Sequence, residues 1–135
     1  MKVNILFRDN DTLQDDYKNV SINNLNTTID DGEVEEFFVD HIISFLPAEH
    51  LEDFFNLVRT KLKAGGTLTI VNDDIYEITK AYITGIINSK ELSQLISQKS
   101  TFTSLRDIMD ILKNMNMKIL YARLAIMEFS IKAQK

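Results

Sequence analysis

Short apolar runs alternate with polar segments in the first half of the chain, as in proteins whose buried strands end in loops. Residues 3–7 (VNILF) predict a first strand that ends at the polar residues 8–12. Residues 20–22 predict a minimal second strand. Residues 34–39, rich in aromatic and β-branched side chains, predict a third strand that ends at Asp40. The pattern therefore indicates three strands, each followed by polar residues.

A helix is predicted after Pro47, because apolar residues recur there at steps of three and four while charged residues fill the other face. Gly65 and Gly66 are expected to end this helix, since glycine adopts positive φ angles at no steric cost. Residues 67–71 then predict a fourth strand, which completes a strand–helix–strand unit. The apolar positions of the helix are Leu51, Phe54, Phe55, Val58 and Leu62.

The second half of the chain predicts three helices followed by two strands. Helical periodicity extends over residues 75–87, 89–98 and 104–114. Residues 118–124 and 128–132 are prone to form strands, which can pair as an antiparallel hairpin. Strands that alternate with helices favour a sheet with a parallel core covered by helices.

Composition places the chain among compact α/β domains and excludes several kinds of site. The 135 residues, 44% hydrophobic and 26% charged, fit one domain that spans residues 1–135. The absence of cysteine excludes disulfides, thiolate zinc sites and cysteine nucleophiles. A net charge of -5 opposes nucleic-acid binding. With no signal-peptide pattern and no apolar run near the roughly 20 residues of a membrane span, a cytoplasmic protein without a membrane partner is expected.

The segment 34–74 resembles the second half of a class I S-adenosylmethionine (SAM) dependent methyltransferase. Residues 37–47 (FFVDHIISFLP) match the family's strand and its "leHlp"-type loop, and a helix leads from there to residues 62–66 (LKAGG). The family commonly has LKPGG in that turn, and Ala64 stands here where the proline is usual. The next strand follows at once, as it does in the family.

Other segments extend the resemblance over most of the chain. Residues 16–21 (DYKNVS) can be laid on the family's "gyinvD" segment, and residues 104–132 on its last helix and two terminal strands. The resemblance implies an α/β fold, a compact Rossmann-like three-layer sandwich of methyltransferase type. Its sheet would be mostly parallel with an antiparallel C-terminal hairpin, and its cofactor would be SAM.

Two positions depart from the family pattern where the cofactor would bind. The family holds SAM against a glycine-rich turn after the first strand, where backbone N–H groups approach the ligand closely. Residues 8–11 (RDND) form that turn here, and no glycine precedes Gly32. At the end of the second strand, Ser21 takes the place of the acidic residue that accepts hydrogen bonds from the ribose. These departures predict weakened or lost SAM binding.

Two functions follow from the resemblance and its departures. The first is a degenerate methyltransferase-like protein that works as a binding or assembly module with little or no methyl transfer. The second is an active small-molecule methyltransferase with an altered cofactor loop, in which His41 or Asp73 assists deprotonation of the acceptor. The residues that would line its cofactor cleft are Asp9, Asn10, Ser21, Asp40 and His41.

The polar residues that follow the strands have structural interpretations beside the functional ones. His41 lies where open α/β sheets bind ligands, but it can also cap or pack against the following helix. Residues 72–74 (NDD) can bind a cation, orient an amine or act as a base, and capping of the next helix is the favoured interpretation. No metal site is predicted, since Asp9 and Asp11 lack the third carboxylate and the glycine of a calcium loop.

A second copy of the chain is a further candidate partner, beside another protein or a small molecule. A shortened sheet is expected to leave an edge strand or an apolar helix face that needs cover. Homodimerisation would supply that cover in either of the two functions.

Overall fold

The computed structural model describes residues 1–8 and 10–135, so the predicted cofactor-binding residue Asp9 lies outside the described residues. Within them, six strands form one sheet and five α-helices flank it. The strands are β1 (Lys2–Leu6), β2 (Lys18–Ser21), β3 (Val34–Asp40), β4 (Leu62–Asp73), β5 (Lys118–Ala125) and β6 (Glu128–Gln134). The helices are α1 (Leu25–Thr28), α2 (Leu51–Lys61), α3 (Ile75–Ile83), α4 (Ser89–Ser97) and α5 (Leu105–Asn114). Short 3₁₀ turns cover Ile22–Asn24, Ile43–Phe45 and Ala48–His50.

The strand order is β2-β1-β3-β4-β6-β5, and it confirms the predicted mixture of parallel and antiparallel pairing. β1 pairs in parallel with both β2 and β3, and β3 pairs in parallel with β4. β6 runs antiparallel between β4 and β5, which forms the expected C-terminal hairpin. Because β1, β3 and β4 are parallel, their carboxyl ends and the loops that follow them meet at one edge of the sheet.

The main hydrophobic core lies on one face of the sheet, between the strands and the helices α1, α2 and α5. Phe37, Ile70 and Phe129 from three strands meet Phe55 of α2 there, and all four are fully buried. The alternate residues of the same strands, such as Thr69, remain partly exposed on the opposite face. The helical cover of the two faces is therefore unequal.

The predicted end of the central helix is wrong, because α2 ends at Lys61 rather than at the glycines. Leu62 is already extended and pairs with Val34, so β4 begins there. Gly65 and Gly66 lie inside β4, where the register with β3 shifts. Gly65 has φ of 78°, and a Cβ on Gly66 would lie 3.0 Å from the Val34 carbonyl oxygen. The glycines therefore permit a strand irregularity instead of a helix cap.

The predicted helix 75–87 also ends early. α3 stops at Ile83, and Gly85 follows with φ of 80°, a left-handed conformation that glycine adopts easily. A second small core holds α3 against α4. This core is formed by Ile78, Ala81 and Ile87. None of the helices in the described ranges is long and apolar enough to cross a membrane.

Candidate functional site

A cleft of about 560 Å³ opens at the edge of the sheet where β1, β3 and β4 end, and the far end of α4 forms its other wall. Its volume lies in the range of small-molecule sites. The predicted residues Asn10, Asp40, His41 and Asp73 all line it. The tertiary structure thus brings four of the sequence-predicted site residues into one cavity.

His41 follows β3 directly, and its backbone conformation is unusual for a residue other than glycine. Its φ is 55°, in the left-handed region, and its main-chain N–H donates to the Val71 carbonyl at 2.7 Å. This bond anchors the residue to the neighbouring strand β4. The imidazole lines the cleft, with Nδ1 2.5 Å from Oδ1 of Asp40.

The other imidazole nitrogen faces two more carboxylates that come from distant parts of the chain. Nε2 of His41 lies 3.2 Å from Glu128 Oε2 and 3.6 Å from Asp73 Oδ1. Asp73 in turn accepts a hydrogen bond of 2.6 Å from the Lys99 ammonium group, just beyond α4. An array of ionisable side chains therefore joins the ends of β3 and β4, the start of β6 and the end of α4.

These carboxylates affect the pKa of His41. The hydrogen bond that Nδ1 donates to Asp40 raises the pKa of His41 above its usual value, and the charges of Asp40, Asp73 and Glu128 add to the rise while burial opposes it. The imidazole therefore keeps its proton to a higher pH than a free imidazole does. A ring that carries this proton has no lone pair with which to accept another, so His41 can act as a general base only above its raised pKa.

The turn after β1 uses its backbone N–H groups internally. Oδ2 of Asp11 accepts hydrogen bonds from the main-chain N–H groups of Phe7 and Arg8, each at 2.7 Å. The Arg8 guanidinium lies over the Phe45 ring, 4.1 Å from its centroid, and the Phe7 ring stacks on the same ring at 5.6 Å. Both the side chains and the backbone N–H groups of Phe7 and Arg8 therefore have partners within the protein.

Asn4 is a cleft residue that the sequence interpretation missed. Its side chain is buried in β1, and Nδ2 donates to the Thr12 carbonyl at 3.1 Å and to Asn19 Oδ1 at 2.8 Å. These bonds tie the segment after β1 to the sheet. A single amide inside an otherwise apolar run was the available signal, because buried polar side chains are uncommon and need partners.

Residues 72–74, which end the fourth strand and begin the next loop, have three different roles. Asp74 is buried and caps α3, since Oδ1 accepts from the Glu77 N–H at 2.9 Å. Its Oδ2 accepts from the N–H of Leu105 at 2.7 Å, at the start of α5. Asn72 is also buried and donates to Ser44 Oγ at 2.8 Å. Only Asp73 reaches the cleft, so capping and site formation are divided between neighbouring residues.

Ser21 is placed apart from the other predicted site residues. Its Oγ accepts from the Asn23 N–H at 3.3 Å and caps the short turn after β2, and Ser21 is not among the residues that line the cleft. Its contact with a ribose stays a prediction. Within residues 1–8 and 10–135, no group of three or more histidine or acidic side chains has the arrangement of a metal site.

No protein-family model matches the sequence, and no curated protein does. The structure, in contrast, is similar to solved methyltransferases. A SAM-dependent methyltransferase from Archaeoglobus fulgidus aligns with 98% of this chain and 75% of its own, at 11% identity and a TM-score of 0.68. A SAM-dependent methyltransferase from Methanosarcina mazei aligns with 99% of this chain and 82% of its own, at 14% identity and a TM-score of 0.65. The fold is that of the class I SAM-dependent methyltransferases.

A larger enzyme shows the same relationship. Geranyl diphosphate C-methyltransferase from Streptomyces coelicolor A3(2), solved with S-adenosyl-L-homocysteine (SAH), aligns with 89% of this chain at 15% identity and a TM-score of 0.60. The present chain spans about half of that enzyme, since the alignment covers 52% of its length. At such identities the similarity establishes the methyltransferase fold and leaves the activity to be argued from the cleft.

Proposed function

We propose that this chain is a degenerate methyltransferase-like protein, which works as a binding or assembly module with little or no methyl transfer. The main support for this proposal is the Asp11 carboxylate, which accepts hydrogen bonds from the main-chain N–H groups of Phe7 and Arg8. The methyltransferase family offers the backbone of this turn to the cofactor, as the resemblance above implies. Here the Asp11 carboxylate already accepts hydrogen bonds from two backbone N–H groups of the turn, so SAM would have to displace that carboxylate.

The side chains of the turn oppose the usual cofactor pose as well. Arg8 and Phe7 both pack on Phe45, which lines the cleft. The turn contains no glycine, so side chains stand along its backbone where the family leaves room for the cofactor. A carboxylate at this point also adds negative charge where the family binds the carboxyl group of SAM. The described residues of the turn therefore do not fit SAM in the way that the family holds it.

An active small-molecule methyltransferase is the second candidate, and the cleft itself favours it. The cavity has the volume of a ligand site and holds Asn10, Asp40, His41 and Asp73. Asp73 is a second candidate for proton transfer from an acceptor, since His41 can act as a base only above its raised pKa. The Lys99 ammonium donates a hydrogen bond to the same carboxylate, so an acceptor would have to displace it to reach that oxygen of Asp73.

Isothermal titration of the purified chain with SAM and SAH tests the two candidates. We expect no binding by the wild type at millimolar ligand. We expect the Asp11→Ala variant to gain measurable binding, since it frees two backbone donors at the turn. Asp15→Ala, which removes an exposed carboxylate from the same segment, is the matched control and should stay silent.

The outcomes separate the candidates. Micromolar binding of SAM by the wild type, together with methyl transfer to any small-molecule acceptor, would establish the enzyme and refute the degenerate module. Equal responses of the Asp11→Ala and Asp15→Ala variants would show that the internal carboxylate does not control the turn. Repeating the titration with Asp9→Ala examines the predicted cofactor residue outside the described ranges.

A further inference from the structure

A groove lies beside the free edge of the sheet, on the side away from the cleft residues of β1 and β3. β5 is the last strand of the sheet and pairs only with β6, so the backbone of its outer edge has no strand partner among the described residues. Such an edge presents unpaired N–H and C=O groups. It can therefore accept an additional strand from another molecule.

The groove next to this edge has apolar walls. It has a volume of about 470 Å³ and runs between α5 and β5, with Leu105 and Met109 on the helix and Leu124 on the strand. Tyr76 of α3 stands at its border and is 66% exposed, while Leu124 is 52% exposed. Large apolar side chains that stay this exposed around one groove are typical of interaction surfaces.

The free edge strand is positively charged, although the lining of the groove itself holds as many acids as bases. Arg106 and Lys113 line the groove, and Lys118 and Arg123 lie on β5. None of the four forms an ion pair within residues 1–8 and 10–135. Residues 104–125 carry these four cations and only two acids, although the chain has a net charge of -5. The local excess of positive charge favours an acidic partner.

We propose that the edge of β5 and the adjoining groove bind an extended peptide segment of a partner protein, in which acidic and apolar residues alternate. The peptide adds as a strand to β5, so main-chain hydrogen bonds align it. Its side chains alternate in direction, which lets apolar ones enter the groove beside Leu124 while acidic ones reach Lys118 and Arg123 on the other face of β5. This surface is separate from the cleft, so the inference does not depend on whether SAM binds.

A second copy of the chain fits this edge less well. Antiparallel pairing of β5 with its own copy would add two further cations, Lys118 and Arg123 of the second chain, to a strand that already carries them. No acidic residue lies on β5 to compensate them. Like charges on paired strands destabilise the pairing. An acidic peptide meets the same edge with charges of the opposite sign.

An NMR titration of the full ¹⁵N-labelled chain tests the proposal. The probe is a pool of synthetic octapeptides with Asp or Glu at alternate positions and Val, Ile, Leu or Phe between them. We expect shift changes confined to α5, β5 and the start of α3, and slower hydrogen exchange of β5 amides. The reference pool carries Lys in place of Asp and Glu and should not bind.

Reversal of the charges tests whether the cations bind the acidic side chains of the peptide. The double variant Lys118→Glu, Arg123→Glu should lose at least tenfold in affinity, while Lys90→Glu, on the exposed side of α4, should bind as the wild type does. Circular dichroism of each variant verifies its fold. No shift at millimolar acidic pool, equal binding of the basic pool, or a self-associated dimer with protected β5 amides would overturn the proposal.

Discussion

The Lys99 ammonium donates a 2.6 Å hydrogen bond to the Asp73 carboxylate and so fastens the segment after α4 to the end of β4. The Lys99 side chain is 9% exposed and that of Asp73 is 26% exposed, so water competes little for the pair. Since α4 contributes no fully buried residue, this bond and the small core of α3 hold one wall of the cleft.

Replacing Lys99 with methionine should therefore loosen α4. We expect a loss of about 1.5 kcal/mol in the free energy of unfolding, because a hydrogen bond to a charged group is removed and Asp73 is left without its cation. Urea denaturation measures the loss, and hydrogen exchange of the α4 amides should accelerate. Lys90→Met, which removes an exposed cation from α4 itself, should change neither the free energy of unfolding nor the exchange rate of the α4 amides. Equal effects of the two variants would contradict this role for Lys99.

The contact between His41 and Asp40 predicts a dependence of stability on pH. The pKa of His41 is raised in the folded state above its value in the unfolded chain. Its contribution to stability is therefore fully present below the unfolded pKa and is lost as the pH rises through the folded pKa. Urea denaturation between about pH 6 and pH 8 should show this decline in the wild type and a smaller one in His41→Asn. Asparagine tolerates the left-handed φ of residue 41, so this variant isolates the charge.

NMR titration of the imidazole identifies the carboxylate responsible. The Asp40→Asn variant should lower the pKa of His41 more than Glu128→Gln does, because the hydrogen bond that His41 donates to Asp40 is the largest cause of the rise. An unchanged pKa in Asp40→Asn would refute the assignment. Since the His41 side chain is 42% exposed, salt should weaken the contributions of the more distant carboxylates.

Asp74 should be important for stability because one buried carboxylate caps two helices. The Asp74→Ala variant leaves the N–H groups of Glu77 and Leu105 without their acceptor. We expect a loss of about 1–4 kcal/mol in the free energy of unfolding, twice the usual cost of one cap. The control is Ser104→Ala, which removes only the cap on the Asp107 N–H at 3.2 Å and should cost about 1 kcal/mol. Similar losses in both variants would show that Asp74 stabilises a single helix.

Much of the cleft could be predicted from the sequence because polar residues directly after strands meet at the carboxyl edge of a parallel sheet. That reasoning gave Asn10, Asp40, His41 and Asp73. It missed Lys99, since nothing local indicates which carboxylate a cation on a later helix will reach. The hydrogen bonds that Asp11 accepts within its own turn were also missed. A carboxylate that binds the backbone of its turn and one that faces a ligand give the same sequence pattern.

The sequence by itself determined most of the elements: hydrophobic periodicity and turn residues specified the strands, four of the five described α-helices and their order, since both act over a few neighbouring positions. The short helix α1 was not predicted. The tertiary structure decided their limits at Gly65 and Gly66, where pairing of Leu62 with Val34 converts a predicted helix end into a strand. It also placed the Glu128 carboxylate beside the His41 imidazole, 87 residues away along the chain. Interactions over such separations arise only when the sheet order brings the strands together, and no local pattern encodes them.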